Sequence, residues 1–150
     1  GSAVTALATM FVGATGPLLS AFFAKLMPDD RKALVATQAA GMTVQHFLST
    51  MPAVYSTPVM ILHIEQACTS SIAGLLPEGH VSVGMEVNVR HLAATPVGRT
   101  VRVASRVRQV DAKSVLFEVE VWDGSRKIGD GTHRRGVINV AAFEKRFGVV

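Results

Sequence analysis

Cysteine is almost missing from this 150-residue chain, with Cys68 the only one. A lone thiol excludes an intrachain disulfide framework and a multi-cysteine metal site, and it suits a reducing, cytoplasmic setting. Its neighbours Ile64, Ala67 and Ile72 are apolar, so it reads as a small buried hydrophobe; a nucleophilic thiol needs a positive, partly open setting. Charged residues are sparse at 17%, and residues 3–24 contain none. Phosphate-cradling glycine loops are also missing, because Gly129-Asp130-Gly131 lies between strand-like segments and not ahead of a helix. The net charge of +4 favours anionic partners. Nucleic acid is not the expected one, since the basic residues are spread out, without aromatic interleaving or Cys/His finger spacing.

What is present divides into two parts at about residue 40, an apolar helical segment over 1–40 and a mixed domain over 41–150. The uncharged stretch is long enough for a membrane span, yet Gly13, Gly16 and Pro17 interrupt it. A span and a packed helical pair both remain open, and membrane contact through residues 3–27 is the less favoured. The physical pattern is two short apolar helices about the turn Pro28-Asp29-Asp30-Arg31, with Asp29 or Asp30 capping the second.

Farther on, Met60, Ile61, Ile64, Ala67, Cys68, Ile72 and Leu75 recur at spacings of three and four, which predicts a helix over 58–76 with one buried stripe. Thr57 before Pro58 is a suitable start: the hydroxyl can cap first-turn amides, and proline loses no needed donor there. Pro77-Glu78-Gly79 stops the helix. Val81, Val83, Met85, Val87 and Val89 then alternate with Ser82, Gly84, Glu86, Asn88 and Arg90, predicting a strand with an apolar face that His91 also shares. Strands follow over 101–108, 115–121 and 127–140, with Asp123-Gly124 turning between the last two. A further strand over 41–48 is the candidate first member. One long helix and successive strands predict an α+β hotdog fold, an antiparallel sheet wrapped around a central helix. Covering the remaining sheet edge makes a homodimer the economical assembly.

The segments MFVGATGPLLSAFF and ALVATQAAGMTVQHF, within residues 9–47, resemble a late part of sulfite-exporter-type membrane permeases. A permease needs many more spanning helices, so transport is not implied. Residues 50–145 resemble the fluoroacetyl-CoA thioesterase-like branch of hotdog proteins through VYSTPVMILHIEQA, LPEGHVSVGMEVNVRHLAATPVG and WDGSRKIGDGTHRRGVI. That resemblance implies an acyl-CoA thioesterase with Thr57, Glu65 and His91 as its catalytic triad, and Gly84 and Arg135 lining the substrate site. It implies no metal and no cofactor beyond the coenzyme A of the substrate, whose phosphates the basic residues suit. Where the fluoroacetyl-CoA enzyme has two phenylalanines as a lid ahead of its threonine, this chain has Leu48 and Met51. A different short acyl group is therefore expected, since flexible methionine makes a more adaptable cover.

Each candidate also has a structural role sufficient to explain it: Glu65 as an exposed helix residue, His91 as a strand-end histidine, Thr57 as a cap. Together they furnish what thioester hydrolysis needs, an attacking or water-activating group, a proton carrier and donors to the developing oxyanion. Glu65 and His91 are expected to converge across the helix–sheet interface. Thr57 and Glu65 are two helical turns apart, about 12 Å, too far for a direct hydrogen bond. The substrate or a second subunit would have to bridge them. His63 and Glu65 point in different directions on a helix, so with His91 they form no expected metal site, and His133 is expected to hydrogen-bond within the sheet. A non-catalytic acyl-CoA-binding module is the alternative reading. A hydratase would need an Asp and His pair at a spacing the chain lacks.

Overall fold

The helical spacing is realised as α1, Thr57–Ala73, whose buried face is Val59, Met60, Ile64, Ala67, Cys68 and Ile72. In the computed structural model, which describes residues 31–36, 50 and 52–149, this helix packs across an antiparallel sheet. The strands are β1 (Arg31–Ala36), β2 (His80–His91), β3 (Val101–Val110), β4 (Ser114–Asp123) and β5 (Arg126–Asn139), in the order β1-β3-β4-β5-β2. Val101, Val103, Val115, Phe117, Val119 and Val121 from β3 and β4 are buried with the helix stripe in one core. Truncating such a side chain to alanine costs about 2–5 kcal/mol, because the cavity left behind relaxes only in part.

Three expectations change. The second N-terminal helix was expected to begin near Arg31, yet residues 31–36 pair with β3 from Arg31↔Arg106 to Ala36↔Val101. An open edge of β3 offers backbone donors and acceptors that a strand satisfies and a helix does not. This part of the 1–40 segment therefore belongs to the sheet. The expected strand over 41–48, the helix over most of 1–40, and the membrane contact at 3–27 lie outside the described residues. Among the described residues no helix is long and apolar enough to cross a membrane.

The cap of α1 is Ser56, not Thr57, with extended φ −86° and ψ 152° and no side-chain capping bond. Thr57 is the first helical residue, and its hydroxyl is released for other work.

The third change is in β2. Its pairing with β5 shifts between Gly84 and Glu86, leaving Met85 as the extra residue of a β-bulge. The bulge reverses the alternation. Ser82 and Gly84 face α1 before it, whereas Val87, Val89 and His91 face α1 after it, as their partners Arg135, His133 and Gly129 indicate. Val81 and Met85, expected on the core face, are 43% and 63% exposed.

A second helix, α2 (Val140–Phe147), follows β5 and has no counterpart in the periodicity reading. Its signals are local: Asn139 Oδ1 accepts from the Ala142 amide at 3.0 Å, Lys145 and Arg146 occupy the last turn, and Gly148 ends it in the left-handed conformation.

Candidate active site

With Ser56 at the cap, the Thr57 hydroxyl turns to β2 and lies 2.9 Å from His91 Nδ1. The imidazole is held from behind by Tyr55, whose buried ring meets it edge-on at 6.1 Å between centroids. Tyr55 is itself fixed by its amide on the Thr95 carbonyl at 2.8 Å and by its hydroxyl, 2.8 Å from His63 Nδ1. Burial holds His91 below its ordinary value near 6.5. At neutral pH the ring is uncharged and able to take a proton. His91 Nε2 is buried and has no hydrogen-bond partner among the described residues.

Two turns along α1, Glu65 meets a different group of residues. Its Oε2 accepts from Arg135 Nη1 at 2.8 Å. Both carboxylate oxygens rest on the bare α-carbon of Gly84, where a Cβ would come within 2.7 and 2.9 Å of them. Arg135 is only 4% exposed, and its fork is otherwise committed: Nε donates to Ser82 Oγ at 2.9 Å and Nη2 to the Ser82 carbonyl at 2.8 Å. Buried His133 completes the set. Its Nδ1–H donates to the Glu86 carbonyl at 2.8 Å, which leaves Nε2 to accept from Arg135 Nη1 at 3.1 Å. Burial lowers the His133 pKa, as this arrangement requires, because a proton on Nε2 would face the guanidinium.

The structure thus joins Thr57 to His91, and Glu65 to Gly84 and Arg135. Glu65 and His91, expected to converge, make no hydrogen bond with each other within one chain; the carboxylate is bound by Arg135 and Nδ1 by Thr57. Leu48 and Met51 lie outside the described residues. Cys68 is fully buried, and burial pushes its thiol up to about 12, so it is an inert core residue. Sequence reasoning missed Tyr55, Ser82 and the support His133 gives Arg135. Ser82 and Gly84 fall on the wrong face for as long as the bulge is unknown.

The sequence profile of the fluoroacetyl-CoA-specific thioesterase family matches residues 39–141. The chain belongs to this family. The fluoroacetyl-CoA thioesterase of Streptantibioticus cattleyicolor is 36% identical over 110 residues, covering 69% of this chain and 79% of that protein. A solved structure of a fluoroacetyl-CoA thioesterase superposes with a TM-score of 0.74 at 32% identity, covering 78% and 91% of the two chains. A thioesterase superfamily member from Thermus thermophilus gives a TM-score of 0.74 at 28% identity, covering 82% and 91%. The fold is therefore the hotdog thioesterase fold and the chain is a thioester hydrolase. The profile match begins at residue 39, inside the stretch over 9–47 that was expected to resemble a permease.

Proposed function

We propose that the protein hydrolyses a short acyl-CoA thioester to the free acid and coenzyme A, with Glu65, His91 and Thr57 as its reacting groups. One observation carries this assignment: a hydroxyl at 2.9 Å from an uncharged, half-buried imidazole, on the same helix as an arginine-held carboxylate. Glu65 attacks the thioester carbonyl or activates water, and His91 moves the proton. With a proton on Nδ1 donated to Thr57 Oγ1, the hydroxyl hydrogen of Thr57 is free for the acyl oxygen. Arg135 and Gly84 fix Glu65, the first by charge and the second by leaving room. No metal takes part in the scheme.

The same 2.9 Å contact supports a second reading of the nucleophile. If the hydroxyl donates to Nδ1, Thr57 is the attacking group and His91 its base, the usual arrangement for an activated hydroxyl. Trapping the acyl group and locating it by mass spectrometry decides between Glu65 and Thr57.

The reading includes a homodimer formed over β2. That strand is an edge of the described sheet and exposes Val81, Met85 and Val87, an apolar edge that a second copy would cover. Antiparallel pairing of β2 with its copy directs the Gly84 end of one strand toward the His91 end of the other. Glu65 of one protomer then approaches Thr57 and His91 of the partner across a shared substrate. Leu48 and Met51 are proposed to cover the acyl group.

Thiol release over acetyl, branched, aromatic and halogenated acyl-CoAs tests the activity. Release from a short acyl-CoA, lost in Glu65→Ala, is the expected result. Tight acyl-CoA binding without release, with affinity intact in Glu65→Ala, would leave only the binding-module reading.

A further inference from the structure

At the end of the sheet beyond Arg135, α2, the turn between β3 and β4, and the adjoining ends of β2 and β5 enclose an open groove of about 400 Å³. Its lining is aromatic and basic. Phe143 and Phe147 are 37% and 57% exposed, with ring centroids 4.6 Å apart. Arg146 lies over the Phe147 ring at 5.3 Å, and Lys113 and His80 complete a basic lining that contains no carboxylate. On the outer sheet face Arg90, Arg106 and Lys127 are neutralised by Asp130, Glu118 and Glu120, while Arg102 lies over the Trp122 ring with no acidic partner among the described residues. Neither Lys113 nor Arg146 has an acidic partner among the described residues.

The groove lies at the ends of the two strands that carry partners of Glu65. Ser82 pairs with Val137 and His80 with Asn139, so the strands that carry Ser82 and Arg135 run directly into it. Four strand steps lead from Arg135 to Asn139, about 13 Å, which the phosphopantetheine arm of coenzyme A can span.

The geometry points to this groove as the seat of the 3′-phosphoadenosine end of the substrate, with the purine on Phe143 and Phe147 and the 3′-phosphate between Lys113 and Arg146. A flat base gains stacking area from an exposed aromatic pair. A phosphate gains charge-assisted hydrogen bonds from an unpaired guanidinium and ammonium. This inference rests on the acyl-CoA reading above, and it assigns the part of the substrate that the reacting groups do not touch.

The test compares acyl-CoA, its 3′-dephospho form and the same acyl group on N-acetylcysteamine, with wild type and a Lys113→Ala/Arg146→Ala variant of the full chain. The variant should raise KM for acyl-CoA about tenfold, leave kcat within about twofold, and leave kcat/KM for the truncated thioester unchanged. Removal of the 3′-phosphate should reproduce that loss in wild type and add little in the variant. An unchanged KM, or an equal loss on acyl-CoA and the truncated thioester, overturns the subsite. Calorimetric titration with coenzyme A and 3′-dephospho-coenzyme A separates the two levels. A wild-type preference for the phosphorylated form that vanishes in the variant supports the groove even if no thioester is cleaved. Equal affinities for the two forms, alongside intact hydrolysis of the truncated thioester, overturn the groove and leave the activity standing.

Discussion

The two ends of α1 hold the candidate catalytic groups in opposite ways. At its start, Thr57 and His91 form a neutral pair, with one imidazole nitrogen that meets no partner among the described residues. Two turns later Glu65 belongs to a charged set in which Arg135 reaches Glu65, Ser82 and His133 at once. A neutral pair with spare hydrogen-bonding capacity suits groups that must exchange a proton, whereas a committed guanidinium suits a carboxylate that must keep its place. Under the proposed mechanism, one helix carries the proton relay at its start and, two turns on, the carboxylate that attacks or activates water.

The largest effect should come from Glu65→Gln, which keeps the shape and removes the charge. It is expected to lower kcat about 10³-fold while the melting temperature stays within a few degrees. A loss below tenfold would make the Glu65 end supportive only.

Arg135→Ala should follow. It leaves the Glu65 carboxylate and His133 Nε2 without their donor, and is expected to destabilise the fold by about 2 kcal/mol in urea unfolding. It should also reduce kcat/KM. Arg135→Lys keeps the charge but not the fork, and should recover stability in part. Full recovery would mean that charge alone holds the carboxylate.

Gly84→Ala should be milder. The added carbon meets only the far end of a flexible side chain, so the carboxylate shifts and the fold survives, with kcat falling about tenfold. An unchanged kcat would show that the seat on Gly84 is not needed.

The smallest effect is in pH. Burial holds His63, His91 and His133 below 6.5. The unfolded chain therefore binds protons that the folded chain refuses, and stability is fully present above about pH 6.5 and declines as pH falls through the lower folded values. The acid limb of kcat/KM should likewise lie below 6.5, because His91 works uncharged. A limb above 6.5 contradicts the neutral pair at the start of α1.

Periodicity made much of the fold legible. The spacing from Met60 to Ile72 predicted α1, and the valine alternations in 101–107 and 115–121 predicted β3 and β4. The turn at Asp123-Gly124 is also where expected, with Gly124 at φ +57°. Residues 31–36 were misread because a short apolar run has no period of its own, and only the open edge of β3 decides that it is extended. The candidate site was proposed by likeness of spacing, but its internal pairing was not legible. Met85 looks like one more apolar member of an alternating strand, and nothing in its side chain announces the bulge. Ser56 and Thr57 are equivalent as caps, so which hydroxyl remains free is settled only by where β2 ends.

That single looped-out residue sets a counting rule for the enzyme. Everything before Met85 on its strand reaches the helix on even numbers, and everything after it on odd numbers, so the seat for the carboxylate and the imidazole are kept in phase by one uncounted step. Deleting Met85 would leave a continuous ladder with both groups still facing the helix, whereas pairing the same seven steps without the bulge would turn one of the two outward. That deletion should leave a folded protein that still cleaves its thioester, and loss of activity with the fold intact would mean that the looped-out residue does more than keep count.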